Sequence, residues 1–370
     1  MINKFTSAFA VAATIALAGT GAAQADIILG VPGAHTGDLA SYGLPTVNAA
    51  EIVAEKYNAN GGVLGETVKV VPQDEACKPE QATNAAFKLV SEDVTVALGH
   101  ICSGATKAAL PIYLESEIVV MSPSATNPPL TESGDYPNFF RTIARDDAQG
   151  LMAANFAVKN LGAKKIAVIH DKGDYGKGFA EFSQQFAEEA GAEVVLFEGV
   201  TPGAVDYSAV VQKVRQSGAE AVIFGGYHPE ASKIVTAMRK KNMDIPFVSD
   251  DGVKDPTFIK VAGEYAEGVY ATGPQDISGN ALYEVALDEH VKKYGAEPGA
   301  FYFNAYAAAQ ALLNAIDKAG STDYEKIVNA LHTEYVETPI GKIRFDKKGD
   351  AEGVGFNVYQ VKSGEFALVQ

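Results

Sequence analysis

The chain has 370 residues, 47% hydrophobic and 21% charged, with 30 Lys and Arg against 46 Asp and Glu for a net charge of −16. At about 100–200 residues per domain, that length and apolar content suit two domains. The acidic balance repels phosphate backbones and anionic lipid, and so argues against nucleic acid and membrane surfaces as partners.

In residues 1–25 Lys4 is the only charge, an apolar stretch runs from about Ala8 to Ala18, and "AQA" ends at Ala25. This is the order of a secretory signal. A membrane anchor would need about 20 continuous apolar residues, and no Cys near residue 25 offers a lipid attachment point. The mature chain is expected to start near Asp26, exported and soluble. Its net charge becomes −17 once Lys4 is set aside.

From there, short apolar runs alternate with longer amphipathic stretches. Strands are expected at Ile27–Val31, Val68–Val71, Val94–Leu98, Val119–Met121, Ile166–Ile169, Val194–Phe197, Ala221–Phe224, Phe247–Ser249 and Val269–Ala271. Helices are expected at Val47–Asn58, Glu80–Val90, Leu151–Asn160, Phe179–Ala190, Tyr207–Gln216, Glu230–Lys241 and Pro256–Ala262, then at Tyr283–Tyr294, Phe303–Ala319 and Tyr324–Leu331. Apolar strands without alternation, each followed by a helix, predict parallel sheets covered on both faces. The rhythm breaks at "RTIARDDAQG" (141–150) and at "ATGPQDISGN" (271–280), and after about residue 336 the pattern turns antiparallel. These seams predict two α/β lobes connected by more than one crossing. Cys77 and Cys102, an even pair in an exported chain, are expected to form one disulfide.

In open α/β sheets, ligands sit beyond the carboxyl ends of the strands. Beyond the first-half strands lie Tyr42, then Gly99, Ser103 and Thr106, then Ser124, Ala125 and Thr126. Beyond those of the second half lie Tyr175, Tyr227, Asp250 and Asp251. Small hydroxyls and helix-start N–H groups make a neutral cradle for an anion, a carboxylate rather than a phosphate, since neither GxxxxGK[ST] nor GxGxxG is present. Asp251 could pair a cation. Together they suit a zwitterion with its acid end on the first lobe and its amine toward the second. Taken singly, each Ser or Thr could be a helix cap, each Tyr a packing residue and each Asp a turn residue.

No G-x-S-x-G, HExxH or CxxC is present, and His100, His170 and His228, though past strand ends, have no recognisable nucleophile beside them. An enzyme is not expected, nor a cofactor or metal; "DKKGDAEG" (346–353) reads as a turn rather than a calcium loop.

The segments "GAHTGDLASYG", "DEACKPEQA", "GHICSGAT", "SPSATNPPLT", "FFRTIARDDAQG", "IHDKGDYGKG", "GGYHPE" and "SDDGV" together resemble the periplasmic branched-chain amino acid binding proteins, of the type I periplasmic binding fold. The resemblance spans the mature chain. It implies two Rossmann-like lobes joined by a three-crossing hinge, with 26–145 plus 274–350 as one lobe and 146–273 plus 351–370 as the other. It implies that Ser103 and Thr126 bind the α-carboxylate, while the carbonyl near Ser124, the Thr126 hydroxyl and Asp251 take the α-ammonium. Ala125 lies in the same loop. Tyr175 and Tyr227 would close from the second lobe, and Tyr42, Ile101, Phe301 and the Cys77–Cys102 bridge would border an aliphatic side chain. Leucine-binding members carry Glu where this chain has Asp251. The implied role is a monomeric solute-binding protein that delivers leucine, isoleucine or valine to an ABC-type permease. A binder of another amino acid or amide, a sensing module, and an exported hydrolase are the alternatives.

Overall fold

The computed structural model describes residues 26–369; the signal-peptide expectation lies outside them. Twelve of the strands form two sheets. The first has the order β2-β1-β3-β4-β5, from β1 (Ile27–Gly33), β2 (Val68–Asp74), β3 (Val96–Leu98), β4 (Val119–Ser122) and β5 (Phe139–Arg141), all parallel. The second has the order β14-β13-β10-β9-β8-β6-β7. Its strands β6 (Lys165–His170), β7 (Glu193–Gly199), β8 (Ala221–Gly225), β9 (Phe247–Ser249) and β10 (Tyr270–Pro274) are parallel. The hairpin β13 (Phe356–Lys362) and β14 (Glu365–Leu368) adds the antiparallel edge. A separate antiparallel pair joins β11 (Val336–Thr338) to β12 (Gly341–Ile343).

Each sheet is covered on both faces, which is why its strands are apolar without alternation. On the first, α1 (Ala40–Ala59), α11 (Tyr302–Ala319) and α12 (Tyr324–Thr333) pack one face with Val31, Leu98, Met121 and Leu312 in the core. On its other face lie α2 (Pro79–Ser91) and α3 (Ser103–Glu115) with Leu89, Leu110 and Tyr113. On the second sheet, α7 (Ser208–Ser217), α8 (His228–Lys240) and α9 (Pro256–Ala262) cover one face, and α5 (Asp146–Asn155) and α6 (Asp174–Glu189) the other. The remaining helices are α4 (Pro129–Glu132) and α10 (Ala281–Tyr294).

Three expectations need correction. Helix α1 begins at Ala40, seven residues before the expected Val47, and carries Pro45 in its second turn; a proline there costs only the hydrogen bond to Ser41, which lies at the helix start. Helix α3 is absent from the expected set, because "SGATKAALPIYLE" places Gly104 and Pro111 inside it. Strand β5 is absent from it too: three residues show no period. As expected, 346–350 is a turn, with the Lys348 and Asp350 amides donating to Asp346 Oδ1. Among the described residues, no helix is long and apolar enough to cross a membrane.

Candidate ligand-binding cleft

In the first sheet the order of strand addition reverses between β1 and β3, and in the second between β6 and β8, with the strands parallel throughout. Loops diverge at such switch points and leave a crevice beyond the strand ends. The loops from both switch points meet in one cleft.

Tyr42 is held there by backbone contact. A Cβ on Gly43 would lie 1.9 Å from the Ala34 carbonyl oxygen, so glycine lets the first turn of α1 press against the end of β1. Tyr42, 1% exposed, donates its hydroxyl to the Gly252 carbonyl at 2.5 Å and accepts from the His228 amide at 3.4 Å. Both partners belong to the second sheet's loops. The rings of Phe301, Tyr42, Tyr227 and Tyr175 succeed one another at 5.9, 5.9 and 5.1 Å and form an aromatic wall from one lobe to the other.

The neutral side comes from the loops after β3 and β4. The Cys77–Cys102 disulfide, Cα to Cα 5.5 Å, anchors the start of α3. The first-turn amides of that helix have no intrahelical acceptor. Ser122 braces the two loops together: its hydroxyl donates to the His100 carbonyl at 2.5 Å and accepts from the Ala125 amide at 2.9 Å. Ser124 donates to the Ile101 carbonyl at 2.8 Å, so its hydroxyl is used within the wall. Ser103 accepts from the Asn127 amide at 3.3 Å, which leaves its own proton free to be donated to an anion.

The acidic side is built around Asp251, which opens a short 3-10 turn after β9. The Tyr175 hydroxyl donates to Asp251 Oδ1 and accepts from the Gly252 amide at 2.8 Å. Asp251 Oδ2 is buried with no hydrogen-bond partner within the protein. Thr126 Oγ1, both carboxylate oxygens of Asp146 and the amide of Gln149 are likewise buried with no partner at hydrogen-bond geometry, though Thr126 stands close enough to Asp146, and Gln149 to Asp251, to lower those carboxyls. Asp146 and Gln149 stand in the first turn of α5 and are fully buried. Burial pushes the Asp251 carboxyl up to about 6, against the pull of Tyr175 and Gln149. Burial, and then the neighbouring Asp251, raises Asp146 well above the ordinary carboxylate range; the Thr126 hydroxyl and Arg141 act in the opposite sense. Lys254 lies near Asp251 and Arg141 near Asp146, but neither forms an ion pair with these acids, and an entering ammonium would relieve both.

Of the ten site residues expected in this cleft, ring contacts and hydrogen bonds bring Tyr42, Tyr175, Tyr227, Asp251 and Phe301 together. Ile101, Ser103, Ser124, Ala125 and Thr126 stand in the segments after β3 and β4, and Asp251 and Phe301 line one cavity of the cleft. Ile101 and Ala125 are fully buried in the wall, and their carbonyls are occupied by Ser124 and Arg141. Asp250 does not face it: its carboxylate accepts from the Gly226 amide at 2.7 Å and from Ser249. Sequence reasoning missed Asp146, Gln149 and Asn127. Asn127 reaches across to the Asp174 carbonyl at 2.7 Å, beside a Lys107–Asp174 ion pair of 2.9 Å. The polar seam "RDDAQG" was the available signal, because it puts two acids and an amide at a helix start between two sheets. Beside Asp251 and Phe301, a cavity of about 890 Å³ extends toward Lys254, Asn304 and Tyr359. Among the described residues, no group of three or more His, Cys, Asp and Glu could hold a metal ion.

Residues 26–365 match the family model described as "Periplasmic binding protein". An "Amino acid binding protein" of Pseudomonas aeruginosa is 40% identical over 344 residues, 91% of each chain. The "Leucine-, isoleucine-, valine-, threonine-, and alanine-binding protein" of the same organism is 35% identical over 97% of this chain and 96% of its own. The solved leucine binding protein of Thermotoga maritima superposes with a TM-score of 0.86 at 29% identity, covering 93% of this chain and 98% of that one. The two-sheet architecture and these matches agree: the chain belongs to the periplasmic binding protein family.

Proposed function

We propose that the protein captures a free amino acid with a small aliphatic side chain, leucine, isoleucine or valine, and delivers it to an ABC-type permease. The observation that carries this reading is the pair of buried acids, Asp251 with Oδ2 unpartnered and Asp146 with both oxygens unpartnered, opposite a wall of uncharged donors. Ser103, Thr126 and the first-turn amides of α3 receive the α-carboxylate, which a helix start favours electrostatically. Asp251, Asp146 and the Thr126 hydroxyl receive the α-ammonium through charge-assisted hydrogen bonds. Asp146 adds a second acid to the one that sequence reasoning assigned. The aliphatic group packs on Tyr42, Ile101, Tyr227 and Phe301, each buried CH₂ contributing about 0.8 kcal/mol.

Residues 26–145 with 274–350 move as one body and 146–273 with 351–370 as the other, closing through Tyr42–Gly252 and Asn127–Asp174. The closed form is what the permease meets. Residues 1–25 are removed after Ala25 on export, and the mature chain works as a monomer in the periplasm without catalytic activity.

The test is a thermal-shift screen of the purified mature chain against the common amino acids, followed by calorimetry. Binding to the native state raises apparent stability by mass action. Leucine, isoleucine or valine should give the largest shifts and leave the solute unchanged chemically. A shift from another solute class with none from these three would end the branched-chain reading.

A further inference from the structure

Among the described residues Arg141 is the largest fully buried side chain, at the end of β5, and it meets the cleft wall through the backbone of the 125–127 loop. Its Nη1 donates to the Ala125 carbonyl at 3.0 Å and to the Asn127 carbonyl at 2.9 Å. Those two carbonyls flank Thr126, so the guanidinium grips the carboxylate loop on both sides of its central residue. Nη2 donates to the Thr131 hydroxyl, and Nε donates to Asp350 Oδ1 at 2.5 Å. Asp350 lies at the crossing from the first lobe toward β13, and its other oxygen takes Arg145 from the crossing into α5 at 3.3 Å. The backbones are tied as well: the Arg141 amide donates to the Gly349 carbonyl at 3.0 Å, and the Ala351 amide to the Arg141 carbonyl at 3.2 Å.

A buried guanidinium is stabilising only when its charge is paired and its donors are met. Here the pairing acid belongs to the segment between β12 and β13, and the acceptors belong to the binding loop. We infer that Arg141 and Asp350 are positioning residues for the ligand's acid end: the pair sets the 125–127 loop in register with the hinge, so that the Thr126 donors face the carboxylate when the lobes close. This rests on the proposed amino acid binding. It adds a residue pair, remote from the ligand, that sharpens recognition of the carboxylate in particular. A fork of parallel donors on two carbonyls and one acid is a geometry lysine cannot reproduce.

The test compares wild type with Asp350→Asn, Arg141→Lys and the milder Thr131→Val, measuring affinity for leucine and for leucine amide, whose acid end is neutral. Thermal melts of each unliganded protein define the temperature at which the variant is folded. Positioning predicts that Asp350→Asn weakens leucine by about tenfold or more while leucine amide changes less than threefold, so the preference for the free acid shrinks. Thr131→Val should shift it in the same direction by a smaller factor, even if the two charged-pair variants do not fold. A uniform loss for both solutes, or a lowered melting temperature with leucine affinity within twofold, would overturn the inference. Failure of wild type to bind leucine or any other amino acid would instead overturn the functional reading beneath it.

Discussion

The hydroxyl of Tyr42, on the first helix, donates to the backbone carbonyl of Gly252, 210 residues later, at 2.5 Å. The same oxygen accepts from the His228 amide. One side chain therefore bridges the two lobes at the turn that carries Asp251. Removing the hydroxyl with Tyr42→Phe keeps the ring contacts to Tyr227 and Phe301 but leaves a buried carbonyl without its donor. A net hydrogen bond is worth about 1 kcal/mol and an unmet buried group somewhat more. Leucine affinity should fall by at least about fivefold in calorimetry, with a melting temperature for the unliganded protein close to wild type. An unchanged affinity would mean that the bridge does not belong to the ligand-bound closed form.

The two acids should prove unequal to their neutral counterparts in opposite ways. Asp251→Ala removes an ammonium partner and the acceptor of Tyr175, and should weaken amino acid binding by more than tenfold. Asp146→Asn removes an acid whose charged form burial and the neighbouring Asp251 disfavour, so at a pH where it ionises the unliganded protein should gain stability in a thermal melt while the amino acid binds more weakly. Stability and affinity moving in the same direction for Asp146→Asn would show that its charge does not face the amine.

Binding should release protons near pH 6. Asp251 titrates at about 6 in the folded protein against an ordinary 3.8. A raised acid holds its proton more tightly folded than unfolded, so its contribution is favourable below about 4 and is lost as pH rises toward 6. The ligand's ammonium needs the ionised form. Below pH 6, binding must therefore expel a proton, and affinity should fall by up to about tenfold per pH unit. Asp146, shifted in the same direction, makes the fall steeper. Calorimetry at pH 6 in buffers of different ionisation enthalpy reads the proton count directly; heats independent of buffer would contradict this account.

The Cys77–Cys102 bridge closes a 25-residue separation, for which loop-closure entropy gives about 3.5 kcal/mol. The double replacement Cys77→Ala and Cys102→Ala should lower stability in denaturant by about that amount. Because Cys102 stands at the start of α3, it should also weaken leucine binding when measured well below the melting midpoint. Loss of stability with intact affinity would assign the bridge to folding alone.

Much of the cleft could be read from residue order. A short run such as Val96–Leu98 or Val119–Ser122, buried throughout, has no polar face to present, so it must be an interior strand. The residues just past the carboxyl end of such a strand must lie at the sheet's end. That rule places Ser103, Thr126, Tyr175, Tyr227 and Asp251 beyond strand ends, where the structure also has them. Helix α3 is not found this way, because Gly104 and Pro111 weaken its local signal and its stability comes from packing on α2 and the sheet.

Asp146, Gln149 and Arg141 sit in a stretch whose period says only that the rhythm is interrupted. On sequence grounds a run of arginine, aspartate and glutamine is a solvated turn. What made these residues buried, and set one acid against another, was the return of the chain at 350 and the arrival of Asp251 from the end of β9, about a hundred residues on. Local patterning determined where strands end, since burial of a strand is written in its own side chains. The partners of a buried charge come from distant segments, and only the folded chain decided which acids, carbonyls and hydroxyls would share one enclosed volume.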